Sequence, residues 1–145
     1  SGLLRLTELG AQEQDRVLVH DAARPNLARS DLDLLLNELA DDPVGGLLAV
    51  PARDTLKRAG ADGRVHATVD RSTIWQAFTP QMFARGALST ALRAVRDAGE
   101  AITDEAMAME MQGVHPLLVE GREDNLKITT PADLARFEFL LGRRG

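Results

Sequence analysis

Apolar positions recur along the chain in two different periods, and the two alternate. Leu3, Leu4, Leu6 and Leu9 fall on one helical face that ends at Gly10. Arg16 to His20 then carries Val17-Leu18-Val19, a short continuous apolar run of the kind found in a strand buried on both faces. Leu32, Leu35, Leu36 and Leu39 return to helical spacing, with Ser30 as the expected N-cap and Asp41-Asp42-Pro43 as the stop. Gly46 to Val50 is a second apolar strand, closed by Pro51. The next stretch is different. Thr55 to Arg58 and Arg64 to Val69 flank Gly60-Ala61-Asp62-Gly63, the pattern of a polar hairpin without an apolar run to anchor it. Ile74 to Phe78 reads as extended, and Thr79-Pro80 as an N-cap with proline at the first helical position. That predicts a helix through Leu88, Leu92 and Val95, ending at Gly99. A further helix begins at Thr103-Asp104-Glu105 and ends at Gly113. Strands are predicted over Pro116 to Glu120 and Leu126 to Thr129. Thr130-Pro131 opens a last helix through Leu134, Phe137 and Leu141. Strands and helices that alternate in this way predict an α/β fold.

The 145 residues suit one domain, and 44% hydrophobic and 27% charged residues match an ordinary globular chain. No apolar run approaches a membrane span, so no membrane partner is expected. A net charge of −5, from 17 Lys and Arg against 22 Asp and Glu, argues against a nucleic-acid partner. With aromatics at 3%, a base-stacking platform is not expected either. The absence of cysteine removes disulfides, thiolate metal sites and cysteine nucleophiles, and is compatible with a cytoplasmic location.

Three polar clusters lie at predicted strand ends, where open α/β sheets bind ligands. The first is His20-Asp21-Ala22-Ala23-Arg24, in which an aspartate can hold Mg²⁺ and an arginine can grip phosphate. The plain alternative is a capping aspartate and a solvated arginine. The second is Asp54, Thr55, Lys57 and Arg58 on the hairpin, with Asp70-Arg71 on its return; charged residues also guard exposed strand edges. The third is Asp124-Asn125-Leu126-Lys127-Ile128-Thr129-Thr130, with Lys127 near a helix N-terminus, a place that suits phosphate. A surface lysine is the ordinary alternative there. His20, His66 and His115 show no zinc-ligand spacing, and no glycine-rich phosphate loop is present.

Taken in order, these segments resemble one family. Val17-Leu18-Val19-His20-Asp21-Ala22-Ala23-Arg24-Pro25 is similar to the signature of the 2-C-methyl-D-erythritol 4-phosphate cytidylyltransferases. Pro51-Ala52-Arg53-Asp54-Thr55-Leu56-Lys57-Arg58-Ala59 resembles the family's arm strand, and Thr68-Val69-Asp70-Arg71 its return, followed by Trp75 and Thr79-Pro80-Gln81. Ile102-Thr103-Asp104-Glu105-Ala106, Glu120-Gly121-Arg122 and Asp124-Asn125-Leu126-Lys127-Ile128-Thr129 complete the set. Met107 departs from it, standing where the family is expected to have a small residue.

The resemblance implies a Rossmann-like nucleotidyltransferase sheet with flanking helices and a projecting β-arm over about 52–71. It implies CTP as co-substrate, Mg²⁺ or another divalent cation, and transfer of a cytidylyl group to 2-C-methyl-D-erythritol 4-phosphate in non-mevalonate isoprenoid synthesis. By the same resemblance Lys127 and Asp21 are catalytic, with Asp21 also the metal ligand. Ala22, Arg24, Thr55, Arg71 and Thr79 bind substrate, and Ser1 lies near the cytidine. Thr55 and Arg71 act across a homodimer formed through the arm. The family's first strand, with its glycine-rich, arginine-bearing loop, has no counterpart in these residues, so residues 1–145 are expected to be the C-terminal part of a cytidylyltransferase domain. Two alternatives stand beside that reading: a non-catalytic dimerisation or binding fragment, and a ribitol-phosphate cytidylyltransferase.

Overall fold

Gly45–Pro51, strand β2, is apolar at nearly every position because both of its faces are covered. The computed structural model describes residues 2–143, and β2 is central in its main sheet. From one face of β2, Leu48 and Val50 pack with Phe78, Met82 and Val119 against Leu35 and Leu39 of helix α2 (Arg29–Glu38). From the other, Leu47 packs with Val17 and Phe83 against Leu88, Ala91 and Val95 of α3 (Arg85–Ala98) and Ala106, Ala108 and Met109 around α4 (Glu105–Glu110). The alternation of 47 with 48 and 50 is the period of two that a strand requires.

The sheet is mixed. Its order is β1 (Arg16–Val19), β5 (Trp75–Ala84), β2, β6 (Leu117–Glu120). Strand β5 runs antiparallel to both β1 and β2, and β6 runs parallel to β2. Two glycines permit this packing at the start of β2. A Cβ on Gly45, whose φ is +102°, would lie 2.2 Å from the Met82 carbonyl oxygen; one on Gly46 would lie 2.2 Å from the Leu117 carbonyl oxygen. No other residue lets both neighbours approach so closely.

Several expectations are corrected. Thr79-Pro80 does not open a helix. It lies inside β5, joined by a cis peptide, where the β2–β5 register shifts between Leu47 and Ala49. A bulge accommodates a residue that has no N–H to give the ladder. Helix α3 therefore starts later, at Arg85. It has no side-chain cap; the N–H groups of Arg85 and Gly86 donate to the carbonyls of Asp15 (2.8 Å) and Glu13 (2.9 Å). Ser30 is not an N-cap either, since α2 begins one residue before it, after Ala28. Residues 126–129 form no strand: Ile128 donates to Ala23 (2.8 Å), a loop residue with no ladder to offer. Strand β1 is an edge strand with Leu18 40% exposed, not a strand buried on both faces. The leucines of α1 (Gly2–Glu8) form a helix but bury little, Leu3 alone packing on the core.

The polar hairpin forms as expected, from β3 (Leu56–Ala59) and β4 (Val65–Val69) in a separate two-stranded sheet, exposed along most of its length. No helix among the described residues is long and apolar enough to cross a membrane. Helix α5 (Pro131–Gly142) starts where the sequence places it, on a capping box in which Thr130 accepts from the Asp133 N–H and Asp133 accepts from the Thr130 N–H.

Asp133 accepts hydrogen bonds from Thr129 and Thr130, and these hold its carboxyl down at about 2, from an ordinary 3.8. A depressed pKa means that the carboxylate stabilises the folded chain above pH 3.8 and that this contribution is lost as pH falls through about 2. Carbon-detected NMR titration should place the Asp133 midpoint near 2, and Thr130→Ala should move it upward toward 3.8. An unmoved midpoint in that variant would dismiss the capping box as the cause.

Candidate functional site

Strand β1 delivers its chain at Val19 into a loop that folds back immediately, the Arg24 N–H donating to the Asp21 carbonyl (2.9 Å). This turn places an acid and a base side by side. Arg24 is 9% exposed. Its guanidinium lies 4.4 Å from the Phe78 ring centroid and donates through Nη1 to the Asn125 carbonyl (2.7 Å). Its Nε stands 3.6 Å from Asp21 Oδ2. Burial lowers the Arg24 pKa from its usual value, and the Asp21 charge opposes that shift. An arginine remains charged under such a shift, so the pocket keeps a fixed cation.

Lys127 reaches the same carboxylate from the other side, with Nζ 3.0 Å from Asp21 Oδ2. Its side chain is 48% exposed and that of Asp21 36%, so both face solvent. Thr79 closes the third side from β5: its Oγ1 accepts from the Asp21 N–H (3.0 Å) and lies 2.9 Å from His20 Nδ1. Residues spread along the chain from position 21 to position 127 are thus brought together by the fold. Asp21, Arg24, Thr79 and Lys127 form one cluster, two cations around one carboxylate, open on one side.

The other predicted site residues stand apart from it. Ala22 is exposed in the turn. Thr55, just before β3, and Arg71, just after β4, are exposed on the hairpin. No hydrogen bond or ion pair joins either side chain to the cluster among the described residues. Ser1 lies outside the described residues. A cavity of about 1020 Å³ between α1, β1 and α3 touches the cluster only at His20 and is lined mainly by apolar groups, so the polar chemistry lies beside it.

Sequence reasoning missed the groups that hold the cluster together. Asn125, 1% exposed, donates its amide to the Thr79 carbonyl (2.8 Å). Asn26, wholly buried, donates to the Asp124 carbonyl (2.7 Å). Gln81 spans from β5 to α4, donating to Asp104 Oδ2 (2.9 Å) and accepting from the Ala106 N–H (2.8 Å). Buried amides carry no periodic signal; the one available hint was that Asn125 stands two residues from Lys127.

No group of three or more His, Cys, Asp or Glu side chains among the described residues is placed to hold a metal ion. Mg²⁺ bound with a nucleotide asks for less, one or two carboxylates with phosphate oxygens and water supplying the rest. The half-exposed Asp21 carboxylate fits that requirement.

Fold and cluster together define a mixed α/β protein with two cations gathered around one carboxylate at the carboxyl end of an edge strand. The family described as IspD, 2-C-methyl-D-erythritol 4-phosphate cytidylyltransferase, matches residues 3–143. A curated protein of that name from Pseudomonas aeruginosa (strain UCBPP-PA14) is 72% identical over 138 residues, covering 95% of this chain and 59% of the relative. One from Ectopseudomonas mendocina (strain ymp) is 71% identical over 135 residues, covering 93% and 57%. Among solved structures, a 4-diphosphocytidyl-2C-methyl-D-erythritol synthase superposes with a TM-score of 0.86 at 49% identity, covering 97% of this chain and 63% of that one. The enzyme from Thermus thermophilus gives 0.81 at 31%, covering 95% and 66%. The chain belongs to the 2-C-methyl-D-erythritol 4-phosphate cytidylyltransferase family. It spans about three fifths of the length of the curated relatives it matches.

Truncating Asn125 to Ala leaves the buried Thr79 carbonyl without its donor. We expect a loss of about 1–3 kcal/mol in urea unfolding. A stability equal to that of the parent would show that the amide bond to Thr79 contributes nothing net.

Proposed function

We propose that the whole protein transfers a cytidylyl group from CTP to 2-C-methyl-D-erythritol 4-phosphate, releasing pyrophosphate. The observation that carries this reading is the pairing of Lys127 and Arg24 around Asp21 in a chain of this family. An oxygen of the methylerythritol phosphate attacks the α-phosphorus of CTP. The bond from that phosphorus to the bridging oxygen of the β-phosphate breaks, and pyrophosphate leaves with the electron pair. Both reactants are anions, so the protein's task is to bring them together in line and offset their repulsion.

Lys127 suits the developing charge on the α-phosphate, because its ammonium is exposed and held by one carboxylate. Arg24, fixed between Phe78 and Asn125, offers a rigid cation to the acceptor phosphate. Asp21 would hold Mg²⁺, which when bound adds positive charge on the nucleotide phosphates. Thr79 borders the same space, and Ala22, exposed in the turn, is proposed to bind substrate on the resemblance alone. Thr55 and Arg71 are exposed on the hairpin, which supports their acting in the site of a second copy. A homodimer joined through the arm over about 52–71 follows from that reading. Highly charged substrates that do not cross membranes support a cytoplasmic location. Ser1 is proposed beside the cytidine on the resemblance alone.

Incubating the full-length protein with CTP, Mg²⁺ and methylerythritol 4-phosphate should give 4-diphosphocytidyl-2-C-methyl-D-erythritol, and ribitol 5-phosphate should compete poorly. A clear preference for ribitol would overturn the substrate assignment. Lys127→Ala should lower kcat at least about tenfold, since it removes charge stabilisation in the transition state. Arg71→Ala should act mainly on KM for the polyol phosphate, as a binding contact does. An unchanged rate for the first variant would remove Lys127 from the mechanism.

A further inference from the structure

We propose that His20 is a positioning residue for this site, strapping the Asp21–Arg24 loop to β5 through a hydrogen-bond chain of fixed direction. The inference rests on the functional reading above for its kinetic consequence, and on geometry alone for the chain itself. His20 Nε2 lies 3.1 Å from the Arg24 carbonyl oxygen, and Nδ1 lies 2.9 Å from Thr79 Oγ1. Thr79 Oγ1 also lies 3.0 Å from the Asp21 backbone nitrogen.

For the neutral ring, the two ends of this chain leave no choice of direction. A backbone carbonyl only accepts, so Nε2 carries the proton and donates to Arg24. A backbone N–H only donates, so Thr79 Oγ1 accepts from Asp21. In the neutral ring Nδ1 is then bare, and the Thr79 hydroxyl gives it its single proton. Two consequences follow. The imidazole bridges the loop from residue 20 to residue 24 and ties both ends to β5, so the carboxylate of Asp21 is held between Lys127 and Arg24. Thr79 has no second proton to donate, so it meets a ligand through an oxygen lone pair.

No hydrogen bond or ion pair joins the His20 ring to the Asp21 carboxylate or to Lys127 among the described residues, and His20 acts through the groups it holds. His20 is exposed and lines the cavity of about 1020 Å³, so a small molecule can reach its place from solution.

The test has two arms on the full-length protein. Long-range proton–nitrogen NMR should show His20 with its proton on Nε2 and Nδ1 bare, and Thr79→Val should change the Nδ1 signal. A proton on Nδ1 and none on Nε2 overturns the proposal whatever the turnover. In the kinetic arm, His20→Ala should lower kcat at least about tenfold at an unchanged melting temperature. Added imidazole should restore part of that loss in a saturable way, and His20→Gln should retain more activity than the alanine variant. A His20→Ala rate within about twofold of the parent overturns the proposal, as does a loss that neither imidazole nor glutamine relieves. If the alanine variant does not fold, the parent's NMR pattern and the glutamine variant decide. A parent protein without turnover defeats the functional reading instead, and the NMR arm still decides the chain of hydrogen bonds.

Discussion

Asn125 joins three segments that are far apart in sequence. Its amide reaches the Thr79 carbonyl 46 positions back, and its own carbonyl receives the Arg24 guanidinium from 101 positions back. All three groups are buried, and this is why the arrangement is specific. A buried arginine needs acceptors, and a buried carbonyl inside a bulged strand needs a donor; leaving either unpaired is costly. The bonds that meet these needs also fix Lys127, two residues further on, against Asp21. The pairing of the two cations around Asp21 is thus a consequence of satisfying the interior, and the cluster cannot shift without exposing an unpaired group.

The bulge in β5 has the same double role. A regular strand would keep pairing with β2 through residues 78–80. The register shift instead releases Thr79, so its carbonyl turns to Asn125 and its hydroxyl to Asp21 and His20. Pro80 cannot join a ladder, and it stands where the ladder is interrupted. The same dipeptide made the sequence misleading: Thr-Pro is a sound helix-start signal at Thr130-Pro131, where it caps α5, and a strand irregularity at Thr79-Pro80. Local chemistry is equal in the two places. What differs is that residues 81–83 have strand partners on both sides in β1 and β2.

This contrast marks what was legible. Elements whose signal is local or periodic emerged from the sequence: β2 from its apolar run, α3 from its leucine and valine spacing and Gly99, the hairpin from its polar flanks and glycine turn. Ser30 failed because α2 starts on loop geometry, with no side-chain cap at Ala28. The strand expected over 126–129 failed because Ile128 bonds to Ala23 of a loop and not to another strand. Of the site, the charged residues could be named through resemblance, yet their proximity could not. It is created by Asn26 and Asn125, polar residues whose burial breaks the rule on which periodic reading depends.

Charge explains why so small a cluster can serve an acidic chain. The net charge of −5 sets a weakly repulsive background for an anion. Background charge is screened over about 10 Å at ordinary salt, whereas cations at the binding surface act at contact distance. Arg24, shielded by Phe78 and Asn125, loses less of its field to water than an exposed arginine would. Asp21 between the two cations offsets their mutual repulsion. In the proposed reaction Asp21 would hold a divalent cation beside the bound anion. In the structure the same carboxylate gathers Arg24 and Lys127 at one point.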